Sequence, residues 1–131
     1  MDRVVEGLTD KIAYSSNTIP VRTFPCGLDT EAFRADALED AWMEADSISD
    51  REHVTPFLWR QPDRFRQATT TADADYSCHR WTVDTEEDYP LVRRIYDHFG
   101  DDTFGWEDVL EVVEAHPAWR ALNAHVEQKA L

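Results

Sequence analysis

Between Ala35 and Ala45 the apolar residues Leu38, Ala41, Trp42 and Ala45 recur at intervals of three and four, which places them on one face of a helix. Leu91, Val92, Ile95, Tyr96 and Phe99 form two adjacent apolar rows of another helix, and Gly100 is its natural stop. Pro90 fits this helix if Asp88 caps it and the proline stands in the first turn, where no backbone donor is needed. Trp106, Val109, Leu110 and Val113 define a third helix, with Glu107 and Asp108 near its positive end. Pro117 ends it, and Trp119, Leu122 and Val126 predict one more. Shorter signals flank these. Val4, Val5 and Leu8 suggest a helix end, and Thr55-Pro56 reads as an N-cap with proline at the first position of a short helix through Trp59.

Extended segments alternate with the helices. Residues 12–17 read as a short strand running into a loop, and residues 27–33 as an extended run in which Leu28 faces away from Asp29 and Glu31. Residues 65–68 and 81–84 read as two more strands, the latter ending in an acid. Strands separated by helices predict an α/β chain. Three or four short strands are few for a free-standing sheet, so the expected sheet is mixed and incomplete.

Composition adds a bias in charge. At 131 residues the chain is one domain or part of one. Its hydrophobic content of 42% and five tryptophans are ample for a core, which argues against disorder. Acids outnumber bases 27 to 13, giving a formal net charge of −14, and Lys11 and Lys129 are the only lysines. Acid excess with lysine depletion suits work in concentrated salt, where ions screen the repulsion; an ordinary acidic protein is the plainer reading. The thermal midpoint should therefore rise from low to molar KCl. A flat or falling curve contradicts the high-salt reading. A chain this negative is not expected to bind nucleic acid. No apolar run is long enough to span a membrane and no apolar signal region follows Met1, so a cytoplasmic location is expected. Cys26 and Cys78 make neither a disulfide framework nor a zinc knuckle.

Three clusters could carry chemistry. Asp29 and Glu31 share one face of an extended segment and could hold sugar hydroxyls or a cation; a solvated strand face is the bland alternative. Residues 50–56 gather Arg51, Glu52 and His53 just before a helix start, where an anionic group could sit, or where local ion pairs and a cap suffice. Arg80 and Asp84 bound a segment whose aspartate stands where open α/β sheets place ligand groups. Asp84 suits Mg²⁺, which takes one or two carboxylates and completes its shell with water and phosphate. The four glycines are scattered, so no phosphate-cradling loop can be built.

Several blocks, in order, resemble the spore-coat polysaccharide cytidylyltransferase-like family, which is related to the synthetases of CMP-activated acid sugars. They are Ser16-Asn17-Thr18, residues 23–33, residues 51–57, residues 80–88 and residues 104–110. The resemblance implies the C-terminal portion of a nucleotide-diphospho-sugar transferase fold, Rossmann-like and three-layered. It implies attack by a sugar oxygen on the α-phosphate of CTP or a similar nucleotide, with pyrophosphate leaving and Mg²⁺ neutralising the phosphates. Asp84 stands at the position of a metal ligand. Asn17, Asp29, Glu31, Arg51, Glu52, His53 and Arg80 fall in blocks around the sugar pocket. The family's glycine- and arginine-rich opening loop and its Gly-Asp-x-Pro block have no counterpart here. Cys26 replaces an often acidic residue, and Glu86 stands where proline is common.

Residues 1–131 are therefore expected to be the sugar-binding and metal-aspartate half of a sugar nucleotidyltransferase for surface-polysaccharide synthesis, inactive alone. The expected partner is an N-terminal half or a second copy. The alternative is a non-catalytic remnant that dimerises as a binding or scaffold protein.

Overall fold

Tyr14, Ser15 and Ser16 make the central strand, β1 (Tyr14–Ser16), of a computed structural model that describes residues 1–127. β2 (Glu31–Phe33) pairs with it antiparallel and β3 (Gln67–Thr69) parallel, giving the order β2-β1-β3. In register, Ser16 faces Glu31 on one side and Thr69 on the other. All three β1 residues are buried. A parallel partner requires a long crossover. The chain supplies it between β2 and β3 with α2 (Ala35–Glu44), α3 (Ile48–His53) and α4 (Pro56–Trp59). The sheet is small, mixed and open, as the short extended segments predict.

Contacts divide the chain into two compact units. The first holds residues 1–24 and 29–75, with α1 (Asp2–Glu6), the sheet and α2 to α4. Its core joins Tyr14, Ala37, Ala41, Leu58 and Phe65. Ala37 and Ala41 are the α2 positions pressed inward, whereas Trp42, on the face predicted to be buried, is 70% exposed. Leu38 of that face is exposed too, and the buried stripe is made of the small residues Ala37, Ala41 and Ala45, of which Ala37 lay outside the predicted face.

The second unit holds residues 25–28 and the described residues from Tyr76 onward, with α5 (Asp88–Phe99), α6 (Trp106–Ala115) and α7 (Pro117–Arg120). Leu91 and Ile95 of α5 pack with Val109 and Val113 of α6, so one of the two rows predicted for α5 is buried, while Tyr96, in the other, is 52% exposed. Gly100 ends α5 in the left-handed conformation, φ 76°. Gly27 is left-handed as well, φ 107°, and a β-carbon there would lie 2.5 Å from the Trp81 carbonyl oxygen. Both the torsion and the contact are backbone-bound. Gly27→Ala should cost about 1–3 kcal/mol, read as a drop in thermal midpoint; an unchanged midpoint contradicts the close approach.

Three expectations need correction. Residues 81–84 form no strand; the neighbouring Arg80 makes only an isolated bridge with Cys26. Its hydrogen bonds run from Cys26 N–H to the His79 carbonyl and from Trp81 N–H to the Cys26 carbonyl. Beyond them, a side chain rather than a neighbouring strand takes up the backbone donors of residues 84 and 85. Second, residues 48–53 are a helix, capped by Ser47, whose Oγ accepts from Asp50 N–H at 3.0 Å. Thr55 is the N-cap of α4 with Pro56 in its first turn, as predicted, though its side chain makes no capping hydrogen bond. Third, the last predicted helix is only the four residues of α7, followed by turns. Among the described residues no helix is long and apolar enough to cross a membrane.

Candidate functional site

In the first unit the sheet gathers Asn17, Asp29 and Glu31. The Asn17 backbone N–H donates to the Thr30 carbonyl, and its side-chain oxygen accepts the Thr30 N–H at 2.8 Å. Asn17 thus continues the β1–β2 pairing by one residue and fixes the start of β2. Glu31 is exposed, yet its Oε1 accepts a 2.5 Å hydrogen bond from the hydroxyl of the fully buried Tyr14. Asp29 is held in a bidentate pair by Arg22, so its charge is balanced locally. Two acceptors, Asn17 and Glu31, and one neutralised carboxylate therefore stand at this end of β1 and β2.

Arg51, Glu52 and His53 share a different element, α3, and all three are exposed. The Arg51 guanidinium donates to the Trp42 carbonyl at 2.9 Å. Behind His53 the chain makes a three-residue turn: Thr55 N–H reaches the His53 carbonyl at 2.7 Å, with Val54 at φ 62° and ψ −62°. That geometry is strained for a β-branched residue. It reverses the chain so that α4 can start at Pro56.

Arg80 and Asp84, in the second unit, belong to a network centred on a residue the sequence marked only as a cap. Asp88 is fully buried. Its carboxylate accepts from Arg80 Nε at 2.8 Å and Nη2 at 2.9 Å, from the Asn123 amide at 2.8 Å, and from the N–H groups of Asp84 and Thr85, both at 3.0 Å. Thr85 Oγ1 adds a sixth donor at 3.2 Å. Arg80 foremost, then Asn123 and the two backbone donors, hold the Asp88 carboxyl well below the usual carboxylate range in spite of burial. The same contacts raise the Arg80 guanidinium further above its ordinary value.

Asp84 is the opposite of Asp88. Its backbone is pinned by Asp88, while its side chain is 60% exposed and touches Arg80 Nη2 at 3.3 Å. A carboxylate with a fixed backbone and an accessible head can serve as one oxygen ligand of Mg²⁺, an ion that keeps most of its shell as water and phosphate. Among the described residues no group of three His, Cys, Asp or Glu side chains could hold a metal ion. Asp84 thus fits a one-carboxylate role and not a self-contained cage. Asn123 is the member of the network that sequence reasoning missed. A buried asparagine among the apolar positions of the last segment was the one available signal.

His79, next to exposed Cys78, is a core residue. Burial, with the charge of Arg120 adding, holds its imidazole below its ordinary value, and it packs beside the Trp81 ring at 5.5 Å.

No protein-family model matches the chain. An uncharacterized protein of Methanocaldococcus jannaschii is 31% identical over 107 residues, which cover 79% of this chain and 44% of that protein. The structure of a cytidylyltransferase from Leptospira borgpetersenii superposes with a TM-score of 0.86 at 25% identity, covering 99% of this chain and 54% of that one. The chain thus spans about half the length of the proteins it matches, and over that half its fold is similar to a cytidylyltransferase.

Proposed function

We propose that this chain is the sugar-side portion of a nucleotidyltransferase that joins a sugar or acid sugar to a cytidine nucleotide for surface-glycan synthesis. The likeness of 99% of the chain to 54% of a cytidylyltransferase carries the reading. The first unit offers hydroxyl acceptors, Asn17 and Glu31, with Asp29 beside them and Arg51, Glu52 and His53 on α3. The second offers one carboxylate, Asp84, presented by Asp88 and Arg80. Nucleotidyl transfer needs the attacking oxygen and the phosphates held in line and their charge neutralised. Mg²⁺ bound through Asp84 would supply part of that neutralisation. The chain's own task is to seat the sugar and to fix the direction of that carboxylate. The phosphate cradle comes from polypeptide outside these 131 residues, either an N-terminal half or a second copy.

The test is pyrophosphate release from CTP and Mg²⁺ in the protein completed by its nucleotide-binding portion, against a panel of monosaccharides. Release that depends on one class of sugar supports the reading. Release indifferent to sugar, or none with any sugar, overturns it.

A further inference from the structure

We propose that Tyr14 is the positioning residue of Glu31, holding its carboxylate as the hydrogen-bond acceptor for a hydroxyl of a polyol ligand. The inference rests on the placement of Glu31 at the sugar in the function proposed above. Tyr14 lies at the start of the central strand and is wholly buried. Packing alone needs only the ring. A hydroxyl at such a place must find a partner, and the one it reaches belongs to an exposed residue of β2, at 2.5 Å.

Glu31 has no need of that bond for its own solvation, since water is at hand. What it loses is freedom. A glutamate on a strand samples many rotamers, and a bond to a rigid buried phenol selects one. The anchor is itself rooted in backbone. Ser16, two residues on and on the same face of β1, has its Oγ held by the N–H groups of Thr18 at 3.4 Å and Ile19 at 3.1 Å. On the neighbouring position Asn17 clamps the Thr30 N–H. Both the backbone and the head of Glu31 are therefore fixed before any ligand arrives. A carboxylate has about four acceptor positions. Tyr14 uses one and leaves the rest for donors, which makes hydroxyl groups the matching ligand chemistry. Burial, with Glu31 next, raises the Tyr14 phenol well above its ordinary value, so it remains a donor at any working pH.

Saturation-transfer NMR on the 131-residue chain, with neutral hexoses, N-acetylhexosamines and acid sugars as probes, identifies the sugar that binds best. Its affinity is then measured for wild type, Glu31→Gln and Tyr14→Phe. Both substitutions should weaken it about tenfold or more, while amide spectra stay folded. No binding by any probe, or full affinity in Glu31→Gln, overturns the sugar-side reading and this inference with it. Loss in Glu31→Gln with wild-type affinity in Tyr14→Phe overturns the positioning role alone. If Tyr14→Phe does not fold, the side-chain scalar couplings of Glu31 in the wild type decide: couplings of a single rotamer support the anchor, and averaged couplings overturn the proposal.

Discussion

Asp88→Ala should lower stability by about 3–5 kcal/mol, the largest loss expected from any single substitution in the second unit. The side chain it removes is fully buried and accepts six hydrogen bonds. Its loss leaves Arg80, whose side chain is 9% exposed, as a charge without its main partner. It also takes one of two acceptors from the Asn123 amide, which keeps the Arg80 carbonyl, and strands two backbone donors. In a chain this long the thermal midpoint should fall by roughly 10–20 °C. A buried pair is costly to break but often cheap to replace, so Arg80→Met with Asp88→Leu should cost less than Asp88→Ala alone. Additive losses would contradict that origin. The pH dependence follows from the sign of the shift. The folded carboxyl is held below the unfolded value of about 3.9. Its contribution is complete above that value and is lost as pH falls through it toward the folded one. His79 acts at a higher pH. Its imidazole takes a proton less readily in the fold than in the unfolded chain, so stability falls as pH drops below about 6.5, the ordinary value.

Asp84→Asn should do the reverse, leaving the melting midpoint within a degree or two and lowering turnover of the completed enzyme by roughly 10²–10⁴-fold. The asparagine keeps the backbone N–H that Asp88 accepts, so the turn persists. What it removes is one exposed charge, paired with Arg80 at 3.3 Å. Surface pairs of that kind contribute little to stability. The substitution therefore separates ligand from scaffold: steady-state pyrophosphate release reads the first and a thermal melt the second. Unaltered turnover, or a collapsed fold, would make Asp84 a structural aspartate.

The helices α2, α5 and α6 and all three strands were legible in the sequence because each has an apolar face or an alternating run to read. Helix α3 was not. Its six residues bury none of their side chains, and Ile48 is 85% exposed, so no stripe marks it. Only Ser47 three residues before Asp50 signals its start. Residues 81–84 mimic a strand because Trp81 and Val83 alternate with polar neighbours. Val83 is exposed, however, and the segment takes its shape from the Asp88 side chain. Spacing alone left Asp29 and Glu31 open between a solvated face and a ligand site. Neither the Arg22 pair nor the Tyr14 bond could be read from the sequence: the first closes the loop between β1 and β2, and the second joins residues brought together by strand pairing. Asn123 lies 35 positions from Asp88 and nothing local announces their bond.

Under the proposed function this chain seats the sugar and one metal carboxylate while the phosphates are held elsewhere. Calorimetric titration of the lone chain, once with Mg²⁺–CTP and once with the monosaccharide panel, tests it most directly. A net charge of −14 repels a triphosphate, and the scattered glycines provide no cradle for it. The expected result is nucleotide binding no tighter than about millimolar, roughly −4 kcal/mol, beside saturable binding of one sugar class. Micromolar binding of Mg²⁺–CTP with no sugar bound would contradict the account and place the nucleotide site within these residues.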